Sequence, residues 1–218
     1  MIDTRTRSTR NTVIKRSAAV GAIVILLSLM VANTRFLSAD EAVAVIPTTF
    51  VAADFAAEHY DGIVDAVTEN AMPLTELAAE LAAAPETAGE RLGTVAGTDK
   101  YAISVDATGT VTAIDDRFIT LLVDGMPDGS DVRIAIGQAI NGTALRDVTG
   151  TVKFSDFPGQ TDYQQVANEY RTLTVARVVD KLGPVTIGQR LSSTGVFVTN
   201  SGPAATFMLT PVSIEVAS

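Results

Sequence analysis

Apolar residues along the chain recur first at a helical and then at a strand period, and this order occurs twice. Phe50, Phe55, His59, Ile63 and Val67 stand at near-helical spacing, which predicts an amphipathic helix over about residues 52–69. Pro73 suits the first turn of a second helix whose apolar stripe is Leu74, Leu77, Ala78 and Leu81, and Pro85 ends it before a short turn to Gly93. From Tyr101 the period falls to two. Tyr101, Ile103 and Val105 alternate, Asp106-Ala-Thr-Gly109 reads as a hairpin turn into 110–114, and Asp115-Asp116 turns again into 118–123. After a loop at 124–131, residues 132–136 give a fourth short strand, so the run reads as a meander that curls into a small barrel or sandwich.

The second cycle opens at Thr161-Asp-Tyr-Gln164, which has the form of a capping box. The helix it predicts carries Tyr163, Val166, Tyr170 and Leu173 on one stripe and stops at Leu182-Gly183-Pro184. Strands follow at about 189–191, 195–199 and 207–216. In the last, the alternation changes phase across Pro211, which calls for a bulge or an edge position. Phe50 and Phe55 ahead of one helix loosely echo Phe154 and Phe157 ahead of the other. The expected class is therefore mainly β with helices (α+β), in two related β-rich units at 47–140 and 141–218.

An N-terminal segment stands apart from both. Residues 1–16 hold Arg5, Arg7, Arg10, Lys15 and Arg16 against Asp3, a balance of +4, and residues 17–32 are uncharged and apolar. This is the pattern of a basic cytoplasmic segment before a signal anchor. The run is short for a full span, but Met30-Val-Ala32 makes a poor cleavage site. The expectation is a single pass through the inner membrane, a lead-in at 33–46, and a body facing the periplasm. That remainder carries 11 Lys and Arg against 24 Asp and Glu, a balance of −13, which repels phosphate backbones and argues against nucleic acid as a partner.

Composition narrows the chemistry further. There is no cysteine, hence no disulfide, thiolate ligand or cysteine nucleophile. His59 is the only histidine, so a multi-histidine metal site is excluded, a Ser-His-Asp triad is not expected, and packing or capping is its expected role. Asp124, Asp128, Gly129 and Asp131 resemble a calcium loop, but Met126 occupies a ligand position and Ala135 stands where a bidentate Glu is required. Asn141-Gly142-Thr143 is formally a glycosylation sequon and reads better as a tight turn. No metal, cofactor or catalytic residue is assigned.

Unusual residues concentrate from Ile136 to Gly150 and on through Lys153-Phe-Ser-Asp-Phe157. Gly137, Gly142 and Gly150 punctuate the stretch, and Arg146-Asp147 sits between apolar neighbours. A guanidinium fork can grip a carboxylate or orient hydroxyls. The preferred reading is an ion pair with Asp147, Asp156 or Glu169 that locks the two units together. Asp156 with Glu169 as a glycosidase pair has no support in the spacing.

These residues resemble an uncharacterised family of bacterial periplasmic lipoproteins, domain of unknown function 2291, over about Ala42 to Val216. The resemblance rests on Gly142-Thr143-Ala144-Leu145-Arg146-Asp147, Phe154, Asp156 and Phe157, Gln160, Asp162-Tyr163, Val166-Ala167-Asn168 and the closing Thr210–Val216 run. It implies two tandem OB-fold-like units that exchange C-terminal strands, and an association with carbohydrate ABC importers of the ribose and xylose type. Two departures stand out: there is no lipobox cysteine, and Gly159 replaces the Asn favoured before Gln160. The expected function is a membrane-tethered, non-enzymatic accessory protein of such an importer, touching its subunits or binding protein. A direct sugar- or oligosaccharide-binding module is the alternative and a hydrolase the distant one. Direct binding is disfavoured because there is no Trp, and most of the Phe and Tyr residues fall on packing stripes.

Overall fold

The computed structural model describes residues 21, 23–31, 50–199 and 206–217. The basic segment 1–16, the lead-in 33–46 and the ends of the apolar run 17–32 lie outside them. Residues 23–31 form a helix with exposed side chains, and no helix among the described residues is long and apolar enough to cross a membrane. The chain divides into a unit ending at Thr49 and a compact unit from Phe50 to Ser218.

The compact unit begins with α1 (Ala52–Glu69), where the sequence places it. Its buried residues Ala52, Ala56, Tyr60, Ile63 and Val67 follow the 3.6-residue period. A two-residue β1 (Met72–Pro73) leads into α2 (Leu74–Ala83), with Pro73 at the N-cap. The expected turn between Pro85 and Gly93 holds a short helix, α3 (Ala88–Leu92), and an edge strand, β2 (Thr94–Gly97), follows. Gly97 and Asp99, both at positive φ, turn β2 back into β3.

β3 (Lys100–Ile114) corrects the expected hairpin at Asp106–Gly109, because it runs unbroken through it. Each residue from Ala102 to Thr110 has a partner in β6 (Arg190–Val198), so the ladder satisfies the backbone groups a turn would have closed on themselves. Gly109 is there for close approach: an added Cβ would lie 2.5 Å from the Leu122 carbonyl oxygen. β4 (Phe118–Leu122) and β5 (Asp131–Ala135) continue the meander, and Asp115 caps the β3–β4 turn by accepting from the N–H groups of Arg117 and Phe118, both at 2.7 Å. Those two bonds hold the Asp115 carboxyl below its ordinary range.

After α4 (Gly142–Asp147) and α5 (Gln160–Thr174), a π-helical turn (Val175–Val179) carries the chain to β6 and β7 (Thr206–Val216). α5 starts at Gln160 behind Gly159, without a side-chain cap, so Thr161 does not form the expected capping box. The two strands expected at 189–199 are one. β7 pairs antiparallel with β6 and parallel with β5, and β6 pairs with β3, closing a barrel in the order β3-β4-β5-β7-β6-β3. Three strands come from before residue 140 and two from after it.

The two-unit reading is corrected on this point. β6 and β7 alone would be a ribbon with two open edges and an uncovered apolar face. They complete the barrel of the preceding segment, so the described residues form one barrel and hold no second one with which to exchange strands. The phase change at Pro211 is a bulge: Gly195 faces Pro211 while Thr194 faces Ser213, leaving Val212 as the extra residue. Phe207, Leu209 and Ile214 thereby all point inward, and Val212 joins the outer layer.

Two cores result. Ile103, Val105, Ile119, Leu121, Ile134, Leu191, Phe197, Phe207 and Leu209 fill the barrel with Leu74 and Leu77 of α2. Ala102, Val196 and Val212 face outward beneath α1, α4 and α5, which contribute Tyr60, Ile63, Leu145, Val166 and Tyr170. Gly109→Ala is expected to destabilise the barrel by about 1–3 kcal/mol, because backbone and not a mobile side chain meets the new methyl. Denaturant unfolding checks it; an unchanged midpoint would restore the turn reading.

Candidate functional site

The stretch that concentrates the motif folds around α4. Asn141 caps this helix, its Oδ1 accepting from the N–H groups of Thr143 (3.2 Å) and Ala144 (3.3 Å), so Asn141-Gly142 is a helix start and not the expected tight turn. The Asn141 N–H donates to Thr210 Oγ1 at 3.2 Å, tying the cap to β7. Gly142 meets α5 backbone to backbone: a Cβ there would lie 1.7 Å from the Ala167 carbonyl oxygen. No other residue allows that approach. Ala144 and Leu145 turn into the outer core, and Thr143 stays exposed.

The close seat of α4 on α5 buries Arg146 to 6% exposure. Its Nε and Nη2 donate to Asp147 Oδ1 (2.7 Å) and Oδ2 (3.0 Å), and Nη1 donates to the Tyr163 carbonyl (3.1 Å). The guanidinium carbon lies 3.5 Å from the Tyr163 ring centroid, and the Tyr163 hydroxyl donates to Asp147 Oδ1 at 3.2 Å. All three guanidinium nitrogens are thus engaged inside the protein. Of the three expected partners Asp147 is the one found, and the pair fastens helix to helix within one unit. Burial, then the Asp147 charge, raise the Tyr163 pKa.

Tyr163 also begins a chain of rings. It packs on Phe154 at 5.5 Å and Phe157 at 5.2 Å, and Phe157 packs on Phe50 at 5.3 Å and Phe55 at 5.1 Å. The two phenylalanine pairs taken as an echo are one cluster in contact. His59 stacks on Phe55 at 4.1 Å, and its Nδ1 lies 2.8 Å from the Phe55 carbonyl, which can only accept, so that nitrogen carries the proton. The remaining motif residues are not gathered there. Asp156 accepts from the Lys153 N–H at 2.9 Å as a local cap, and Gln160 and Asn168 are exposed on α5. Among the described residues, no group of carboxylates and histidine could hold a metal ion.

Beneath α1, the Tyr60 hydroxyl lies 2.9 Å from Thr174 Oγ1, while the Tyr170 hydroxyl is buried without a partner among the described residues. Burial raises both pKa values, that of Tyr170 to about 12. Beside α1 a cleft of about 700 Å³ opens toward the α3–β2 corner, with Gly62, Asn70, Thr94 and Ser104 in its lining. Sequence reasoning singled out none of these four. The available signal was Gly62, a glycine inside an otherwise regular helical pattern.

A family model described as predicted periplasmic lipoprotein, DUF2291, matches residues 20–215. The chain belongs to this family. That description makes it an extracytoplasmic, membrane-associated protein of unknown function. By structure the chain is similar to an OB-fold protein from Thermotoga maritima, with 20% identity, a TM-score of 0.63, and coverage of 78% of this chain and 100% of that one. At that identity the likeness shows the fold alone, and it agrees with the closed barrel order. No curated protein matches by sequence.

Arg146→Ala should cost about 3–5 kcal/mol of stability, because it strands the Asp147 carboxylate in a buried site. An unchanged melting temperature would contradict the structural reading. Tyr170→Phe removes a buried hydroxyl that bonds to no described residue and should raise stability by up to about 1 kcal/mol. A raised folded pKa gives stability that is complete below the unfolded value of 10.0 and lost as pH climbs toward about 12. Denaturant midpoints from pH 9 to 12 should therefore fall less steeply in Tyr170→Phe than in the parent, and equal slopes would contradict the assignment.

Proposed function

We propose that this family member is a membrane-tethered accessory protein of a carbohydrate ABC import system, acting by contact with importer subunits or their binding protein and not by catalysis. The observation that supports this reading is the state of the motif. The residues that carry the family likeness, Gly142 through Asp147 with Tyr163, bond to one another and join α4 to α5. A motif used in this way preserves a shape. It leaves the outer surfaces of the barrel and helices to act, which suits docking better than turnover. In this reading residues 17–32, behind the basic segment, serve as the tether in place of a lipid on cysteine.

Rings that could stack a pyranose are mostly engaged elsewhere. Phe197 packs on Phe207 at 5.4 Å, Tyr60 on Tyr170 at 6.4 Å, and Phe118 lies beside the guanidinium groups of Arg117 and Arg133. This favours the accessory reading over a direct pyranose receptor. Crosslinked capture of the tagged full chain from native membranes tests it. The expected result is enrichment of subunits of a sugar importer, with the chain in the membrane fraction. Capture of no importer component, or a soluble chain whose N-terminus begins near Asn33, would contradict the account.

A further inference from the structure

The cleft beside α1 is a different feature from the motif. Its floor is the outer side of β3 at Ala102 and Ser104, α1 from Glu58 to Asn70 forms one wall, and Arg91 to Thr94 form the other. It also lies outside the barrel interior, whose core is separate. From these groups we infer that the cleft binds a small, uncharged, acyclic polyhydroxylated ligand.

Unengaged hydrogen-bonding capacity converges there. Ser104 is only 9% exposed, yet its hydroxyl bonds to no described residue, and neither does that of Thr94. The Ser104 hydroxyl opens onto the cleft, where it can donate to or accept from a ligand hydroxyl. The Asn70 amide donates to the Ala66 carbonyl at 2.7 Å, which leaves its oxygen free to accept. Glu58 adds an acceptor without an ion-pair partner among the described residues, and Arg91, already paired with Glu80, adds donors.

Gly62 is the second observation. Glycine inside a helix is unfavourable relative to alanine. Here packing does not demand it, since an added Cβ would meet nothing within 4 Å. Gly62 presents bare backbone to the cleft and Ala66, one turn on, only a methyl group, which lets a ligand lie close against α1.

The lining selects the class. Hydroxyls that donate and accept, with an amide oxygen, a carboxylate and a guanidinium, match a ligand whose own hydroxyls do both. Arg91 is already neutralised by Glu80, and the Glu58 carboxylate, unpaired among the described residues, disfavours an anionic ligand, which suits a neutral one. Ile63, Val67 and Val148 supply aliphatic contact for carbon–hydrogen faces; among the described residues of the lining there is no Phe, Tyr or Trp to stack a pyranose, and the one aromatic ring, the His59 imidazole, is already stacked on Phe55. The volume is in the range of small-molecule sites.

Isothermal titration of the full chain in nanodiscs with sorbitol, arabitol and glucose tests the inference. Saturable binding of a polyol below about 1 mM is expected, with glucose at least about tenfold weaker. Ser104→Ala should weaken the polyol about tenfold. Gly62→Leu, whose side chain enters the cleft, should abolish binding while its melting temperature holds or rises. No saturable heat from either polyol, glucose binding as tightly, or an unchanged isotherm in Gly62→Leu would overturn it. The inference does not rest on the accessory reading: failed membrane capture leaves this titration untouched, and the reverse also holds.

Discussion

The outer layer of this protein depends on one buried contact, the guanidinium of Arg146 held between the Asp147 carboxylate and the face and carbonyl of Tyr163. A charge at 6% exposure is tolerable only because each nitrogen has a partner and the opposite charge is adjacent. That arrangement requires α4 and α5 to touch, and they touch because Gly142 has no side chain. Tyr163, once fixed, presents its ring to Phe157, and Phe157 reaches Phe50 and Phe55 at the start of α1. A short polar motif therefore positions three helices against the outside of the barrel.

The barrel obeys a different constraint. β3 is long enough to pair with β6 along one stretch and β4 along the other, and this double pairing closes the sheet. Closure removes the exposed edges a five-stranded meander would present. The bulge at Pro211-Val212 lets a strand of mixed phase keep its apolar residues inside. The helices then cover Ala102, Val196 and Val212 on the outer face. The cleft lies where that cover is incomplete, between α1 and the β2 corner.

Local patterns made much of this legible. The period of α1, the apolar stripe of α2, the meander strands and the slip at Pro211 could all be read from spacing, because each reflects burial of one face. The errors share a cause. Asp106-Ala-Thr-Gly109 has turn chemistry, but a long-range ladder with β6 outweighs it. The single barrel was hidden for the same reason, since nothing local records that β6 pairs with a strand some ninety residues earlier. Arg146 was legible as an ion pair because a charged dipeptide between apolar residues must find a partner. The cleft was not, because Asn70, Thr94 and Ser104 come from three separate elements and meet only in the fold.

The central claim is that Arg146 acts on its buried partner and not on a ligand. The most direct measurement is a double-mutant cycle on Arg146 and Asp147, using Ala at each position and denaturant unfolding of the full chain. Replacing both residues removes the charge that either single change would strand. The account predicts a coupling energy of about 1.5–3 kcal/mol, with the double variant more stable than the sum of the two losses allows. Strict additivity, with each substitution costing little, would contradict it and return Arg146 to the list of surface groups free to bind.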